Sequence, residues 1–247
     1  MDIATGHEPA PRAPLPPFSV LDDASAAMNR ELRALPGFAP MMLAPELAAM
    51  EGSYAGKTLA LQASAFTATG VRLGRVVRID GPGTWILNAV VFPSEAYATP
   101  ILGIELLVFR ERMHLIVADL YPLREADLGV MDDIGPRFDD VGEAPDMPQW
   151  ATRIFSRRPV FRKPRGSATL ADGARAVRLV TERWLSLATV ARPVEDDEAT
   201  STRARRDAYI RSHAEDEPAN PFLAKTFGEV LGKRLVDEVL FPHAAFR

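Results

Sequence analysis

There is no cysteine among the 247 residues. That excludes disulfides, thiolate-held iron–sulfur clusters, cysteine-rich zinc sites and a cysteine nucleophile together. There is also little net charge: 29 basic against 33 acidic residues leave −4 at pH 7, which argues against a bulk nucleic-acid or membrane-surface binder. No run approaches the roughly 18 consecutive apolar residues a membrane span needs. The opening MDIATGHEPA lacks a basic start followed by an apolar run, so no secretory leader is expected and the cytoplasm is the expected compartment. GxSxG, GxGxxG and the phosphate-binding loop are absent, and His7, His114, His213 and His243 show no metal-ligand spacing, so each reads as a surface or core histidine. What is present is an ordinary globular composition, 47% hydrophobic and 25% charged, in a chain long enough to bury a core without staples.

Five prolines fall between Pro9 and Pro17, so residues 1–20 are read as a flexible Pro-rich arm ahead of one domain over 21–247. Short helices are expected near Asp23–Leu35 and Ala44–Glu51. From Lys57 to Tyr121, apolar and β-branched runs alternate with turn signals, giving strands at Lys57–Phe66, Val71–Asp80, Thr84–Phe92, Ile101–Phe109 and Met113–Leu120. The connections Gly81–Gly83 and Arg110–Arg112 are short enough for hairpins, so neighbouring strands are antiparallel. LNAVVF and ILGIELLVF are apolar on both faces, so the sheet is expected to be covered on both sides. An acidic irregular loop runs from Pro122 to Pro148. A helix with Val177, Val180, Trp184, Leu187 and Ala191 inward ends at Pro193, another opens near Glu195–Glu198, and a last helix has Asn220 as N-cap with Pro221 following. The fold class is α/β, a three-layer α/β/α sandwich around an antiparallel sheet.

Two polar residues stand where the pattern wants apolar ones. Glu105 lies inside ILGIELLVF, with Ile101, Gly103, Leu107 and Phe109 on its face of the strand. A carboxylate there costs several kcal/mol if unpaired, or it keeps its proton. Asn88 poses a milder form of the same problem. If Pro93–Pro100 is a symmetric connection, residues whose numbers sum to 193 face each other, which pairs Asn88 with Glu105 at the Cβ separation of roughly 4.5–5.5 Å typical of opposed side chains. The same arithmetic across Gly81–Gly83 sets Val76 opposite Asn88. The pair reads either as a structural hydrogen bond or as a pocket floor whose acid donates a proton. Arg153, Arg157, Arg158, Arg162, Lys163 and Arg165 form a basic segment, read as solvated surface or as a receiver of carboxylates or of an acidic protein. Asp216 and Glu217, ahead of Asn220, read most simply as capping acids.

At these residues the chain resembles a known family. LNAVVFPSEAYATPILGIELLVFRERMHLIVADLYPL is similar to the central sheet of ferredoxin-dependent bilin reductases, with an N or H in its first strand, an FP…Y…P.LG.D connection and a D..P ending. RIFSRRPVF resembles the next family block and YIRSHAEDEPANPFLAKTFGEVLGKRLVDEVLFP the C-terminal one. The likeness is collinear over about residues 55–242.

The resemblance implies a sandwich that binds biliverdin IXα between sheet and C-terminal helices. It implies no permanently bound cofactor, metal or flavin, with single electrons from reduced ferredoxin and protons from side chains to a bilin radical. By position, Glu105 takes the place of a central catalytic aspartate, Asn88 that of an asparagine or histidine, and Glu217 that of the aspartate in a DPA motif, with Asp216 directly before it. Both aspartates are glutamate here. Val76 stands about where the phycocyanobilin branch has glutamate, and His213 near a usual arginine. These departures bear on regiospecificity more than on reaction class. Arg157 or Arg158 is assigned to the bilin propionates, and the rest of the basic segment to acidic ferredoxin. The expected product is a phytobilin of phycocyanobilin or phycoerythrobilin type, in a pathway with a heme oxygenase and a phytochrome-type acceptor. Nucleic acid and membrane are not expected partners. The alternatives are a non-catalytic tetrapyrrole carrier, an interaction domain with a structural buried acid, or a reductase of another linear tetrapyrrole, as in the related red chlorophyll catabolite reductases.

Overall fold

A computed structural model describes residues 18–146, 151–164, 169–216 and 219–242, with side chains at 151 and 214–216 left aside. The Pro-rich arm lies outside these residues except at its end, where Ser19 already opens helix α1 (Ser19–Arg33). The sheet has eight strands: β1 (Ala39–Met41), β2 (Ala49–Tyr54), β3 (Lys57–Ala68), β4 (Val71–Gly81), β5 (Thr84–Pro93), β6 (Ile101–Phe109), β7 (Arg112–Tyr121) and β8 (Val160–Arg162). They run in the order β1-β3-β4-β5-β6-β7-β8, with β2 also on β3, and all pairings are antiparallel. The five central strands fall within two residues of the sequence expectation, because each is a β-branched or apolar run closed by a tight turn.

Two of those turns are shorter than expected. Gly81 pairs directly with Thr84, leaving a two-residue Pro82-Gly83 turn in which Gly83 takes φ +70°, the left-handed conformation glycine adopts without strain. Arg110 and Glu111 alone connect β6 to β7, both at positive φ, as a two-residue hairpin turn requires. The first change shifts the β4–β5 register by one, so Val77, not Val76, lies opposite Asn88. A one-residue slip moves a side chain to the other face of a sheet. Val76 accordingly packs in the core on the far side.

That far side is covered by α1 and by α3 (Leu170–Val190). Leu21, Met28, Leu32, Val177, Val180 and Trp184 pack there on Trp85, Leu87, Ile104, Leu106 and Ile116, each large side chain contributing roughly 1.5–3 kcal/mol through burial. The acidic stretch after Pro122 is irregular, with short 3₁₀ turns at Glu125–Asp127 and Gly135–Phe138. It still buries Met131, Ile134, Phe138 and Val141 in this layer.

The near side is covered by α4 (Asp196–Asp216), α5 (Asn220–Phe227), α6 (Glu229–Leu235) and a π-helical turn, Val236–Leu240. Tyr209, Ile210, Leu223, Leu235 and Val239 pack on Leu61, Val77, Ile79, Val90 and Phe92. The final helix is therefore broken, not continuous: Gly228, at φ +88°, separates α5 from α6. Ala219 is its N-cap and Asn220 its first residue. The expected helix at Ala44–Glu51 is also corrected. Only α2 (Pro45–Ala48) is helical, and Ala49–Tyr54 pairs with β3 instead. A single turn of helix has little stability of its own, and a free sheet edge captures the chain beyond it.

Candidate active site

The near face of the sheet carries the site. In β5–β6 Asn88 pairs with Glu105, the register the sequence gives by symmetry, and the row across the sheet is Val77, Asn88, Glu105, Val117. The adjacent row is Arg75, Val90, Gly103, Asp119. Strand alternation thus brings four polar side chains to one face within two rows. Above them lies a cavity of about 140 Å³ that opens to solvent. Its remaining walls are mostly apolar and aromatic, among them Ile101, Phe155, Phe161, Tyr209 and Phe241.

The four polar groups are hydrogen-bonded in a directed way. Arg75, fully buried, donates from Nη1 to Asn88 Oδ1 at 2.7 Å and from Nε to the Leu240 carbonyl at 2.5 Å. A guanidinium only donates, so it fixes the Asn88 oxygen toward itself. The amide nitrogen is left facing Glu105, 3.4 Å from Oε1. Glu105 is half-buried and lines the cavity.

Asp119 is buried at the other end of the site. It accepts from Ser156 Oγ at 2.5 Å and from Ser156 N at 2.7 Å. Desolvation pushes its carboxyl up to about 6, with the Ser156 bonds pulling the other way. The pair ties the segment bearing Ile154 and Phe155, both cavity walls, to β7.

The roof is α4, which is polar along most of its length yet turns Tyr209 and His213 into the cavity. Charge braces it: Glu95, on the β5–β6 connection, pairs with Arg206 at 2.9 Å and Arg203 at 3.2 Å. The His213 ring lies 4.6 Å from Phe241 and 4.5 Å from Tyr209, centroid to centroid. Burial, assisted by the Arg75 charge, pushes its imidazole down to about 3. It is neutral at physiological pH. Burial likewise raises the Tyr121 phenol in the cavity wall.

Of the six residues the sequence singles out, the structure brings Asn88 and Glu105 together. Arg157 and Arg158 are exposed, one and two residues beyond Ser156, and are not among the cavity-lining residues. Asp216 is the last residue of α4, and Glu217 lies outside the described residues. Arg75, Asp119 and His213 were not assigned to the site from sequence. Arg75 and Asp119 carried the same signal as Glu105, a charge inside an apolar strand (LGRVVR, LIVADLY), and both share its face. His213 had no local signal, because only tertiary packing turns it inward. Among the described residues, no group of three or more His, Asp or Glu is placed to hold a metal ion. None of the described helices is long and apolar enough to cross a membrane. The arrangement sets two carboxyl groups, an oriented amide and a buried guanidinium around an apolar, aromatic-walled space.

An antiparallel sheet thus lies between helices, with carboxyl groups in an apolar cavity beneath the C-terminal helices. Residues 25–242 match the model of the ferredoxin-dependent bilin reductases, and the chain belongs to that family. It is similar to a 15,16-dihydrobiliverdin:ferredoxin oxidoreductase of Gloeobacter violaceus, at 28% identity over 72% of this chain and 77% of that protein. A phycocyanobilin:ferredoxin oxidoreductase of Synechococcus sp. strain CC9605 is 26% identical over 96% of this chain and 98% of that one. Among solved structures, phytochromobilin synthase from tomato in complex with biliverdin superposes with a TM-score of 0.76 at 19% identity, over 90% of this chain and 82% of that one. The protein is thus a ferredoxin-dependent bilin oxidoreductase, and its fold is that of the tomato enzyme.

Proposed function

We propose that the protein reduces biliverdin IXα to a phytobilin of phycocyanobilin or phycoerythrobilin type. The observation that carries this reading is the Asn88–Glu105 pair, an amide and an acid facing one another in the wall of an apolar cavity. Reduced ferredoxin supplies electrons singly. Two electrons and two protons add across one conjugated double bond of the tetrapyrrole for each pair of ferredoxins oxidised. Glu105 gives a proton to the reduced bilin. A carboxyl group in the wall of an apolar cavity is placed for proton transfer to a pigment bound there. Asn88 orients Glu105 through its amide nitrogen. Asp216 or Glu217 serves the opposite face of the bilin. The exposed Arg157 and Arg158, beside the cavity-lining Phe155, supply charge for the propionates or for acidic ferredoxin. No resident cofactor is invoked.

A second substrate, 15,16-dihydrobiliverdin, is favoured by the similarity to the Gloeobacter protein of that name. The deciding experiment incubates the full chain anaerobically with reduced ferredoxin and either bilin, then separates the products by chromatography. Conversion of biliverdin to a phytobilin supports the first reading, and consumption of 15,16-dihydrobiliverdin alone supports the second. Binding of either pigment with no ferredoxin-dependent spectral change would make the protein a carrier. Charge reversal at Arg157 and Arg158 should raise the bilin or ferredoxin concentration needed for half-maximal rate. A ferredoxin effect shrinks as salt rises, since exposed charges are screened over roughly 10 Å at 0.1 M.

A further inference from the structure

A buried guanidinium is built into the wall of this cavity. Arg75 is fully buried, lines the cavity, and lies with its guanidinium carbon 5.2 Å from the Phe241 ring centroid. Its bond to the Leu240 carbonyl anchors the π-helical turn to the sheet. Its charge adds to the burial that lowers the His213 imidazole.

We propose that Arg75 stabilises the negative charge that arrives on the bilin with each electron, holding the reduced substrate until Glu105 protonates it. This rests on the bilin-reducing reading above and adds an electrostatic residue to it. In each step the ferredoxin iron–sulfur centre loses one electron and the conjugated bilin gains it, becoming a radical anion with the first electron and, once protonated, a closed-shell anion with the second. The Glu105 O–H bond then breaks as a bond from hydrogen to the tetrapyrrole forms. The carboxylate left behind keeps its Asn88 donor and is reprotonated from solvent. A fixed cation aimed at developing charge inside a water-poor site needs no reorganisation when the charge appears, and that is why such groups act strongly. Through its hold on Oδ1, Arg75 also fixes which end of the Asn88 amide meets Glu105.

The test compares wild type, Arg75→Met and Arg75→Lys, each as the full chain. Biliverdin binding is measured by absorbance titration, and radical formation is followed by electron paramagnetic resonance in anaerobic single turnovers with reduced ferredoxin. Arg75→Met should bind bilin but form the radical roughly 100-fold more slowly, the loss typical of removing one preorganised group. Arg75→Lys, which keeps the charge and loses the fork, should recover most of that rate. A purely structural anchor predicts instead that both variants lose thermal stability while radical formation in the folded fraction is unchanged. That result overturns the inference. If Arg75→Met does not fold, Arg75→Lys still decides it, because a bilin-binding lysine variant as slow as 100-fold below wild type removes charge as the cause. If wild type itself reduces no bilin, the reading beneath falls too, whereas a fast wild type with fast variants overturns this inference alone.

Discussion

The two faces of the central sheet are made by alternate residues of the same strands, yet they do different work. Toward α1 and α3, residues 87, 89, 91 of β5 and 102, 104, 106 of β6 are buried and apolar. Charged residues on that side stay at its rim, where Arg78 pairs with Asp22 and Asp80 while partly exposed. Toward α4 and the C-terminal helices, Arg75, Asn88, Glu105 and Asp119 sit mid-strand and line a cavity. One face is packed for stability, and the other gives up packing to place polar groups where water is scarce. A half-empty, polar face is tolerable because the opposite face closes a complete core.

The comparison breaks most severely if an acid is moved one residue along β6. Ile104→Glu puts a carboxylate into the dry face, where Ile104 is 2% exposed, and should cost about 3–5 kcal/mol in urea unfolding, as an unpaired buried charge does. Stability near wild type would show that this face admits polar groups as readily as the other.

A somewhat smaller effect concerns pH. Asp119 titrates near 6 in the folded protein against an ordinary 3.8. Between those values the folded state holds the extra proton, so stability falls as pH rises from about 4 to about 6 and levels off above. Asp119→Asn should remove a decline on the order of 3 kcal/mol from the pH–stability curve. An unchanged slope would place Asp119 in a more solvated setting.

Smaller still is a pair of glycine substitutions. A Cβ on Gly74, in the dry face, would come within 2.1 Å of the Phe66 ring, so Gly74→Ala should lower stability by roughly 1–3 kcal/mol through overpacking. A Cβ on Gly103 meets only the Tyr209 hydroxyl, at 3.4 Å. Gly103→Ala should therefore fold within about 1 kcal/mol of wild type, while its methyl narrows the cavity and weakens bilin binding by absorbance titration. Equal stability losses at the two positions would erase the distinction between the faces.

Much of this contrast was legible in the chain. The β5–β6 register follows from the symmetric connection, because a two-residue period leaves no freedom once the centre is fixed. The same arithmetic misplaced Val76, since Gly81 joins the β4–β5 ladder and shortens the turn by one residue. Glu105 and Asn88 stand out within ILGIELLVF and LNAVVF. Arg75 and Asp119 carried an equivalent signal that gains force only when their strands are known to share a face with Glu105. Ala49–Tyr54 was hidden because its pairing with β3 is a tertiary choice, and local propensity does not decide it. The break at Gly228 and the inward turn of His213 likewise depend on packing between helices and sheet.

The central claim is that Glu105 hands a proton to the reduced tetrapyrrole. Its most direct test is an anaerobic single turnover of Glu105→Gln with biliverdin and reduced ferredoxin, followed by absorbance and electron paramagnetic resonance. Glutamine keeps the shape and loses the proton, so the variant should bind biliverdin normally, accept an electron and stall at the radical, with product formation slowed about 100-fold or more. Product formed at the wild-type rate would contradict the account.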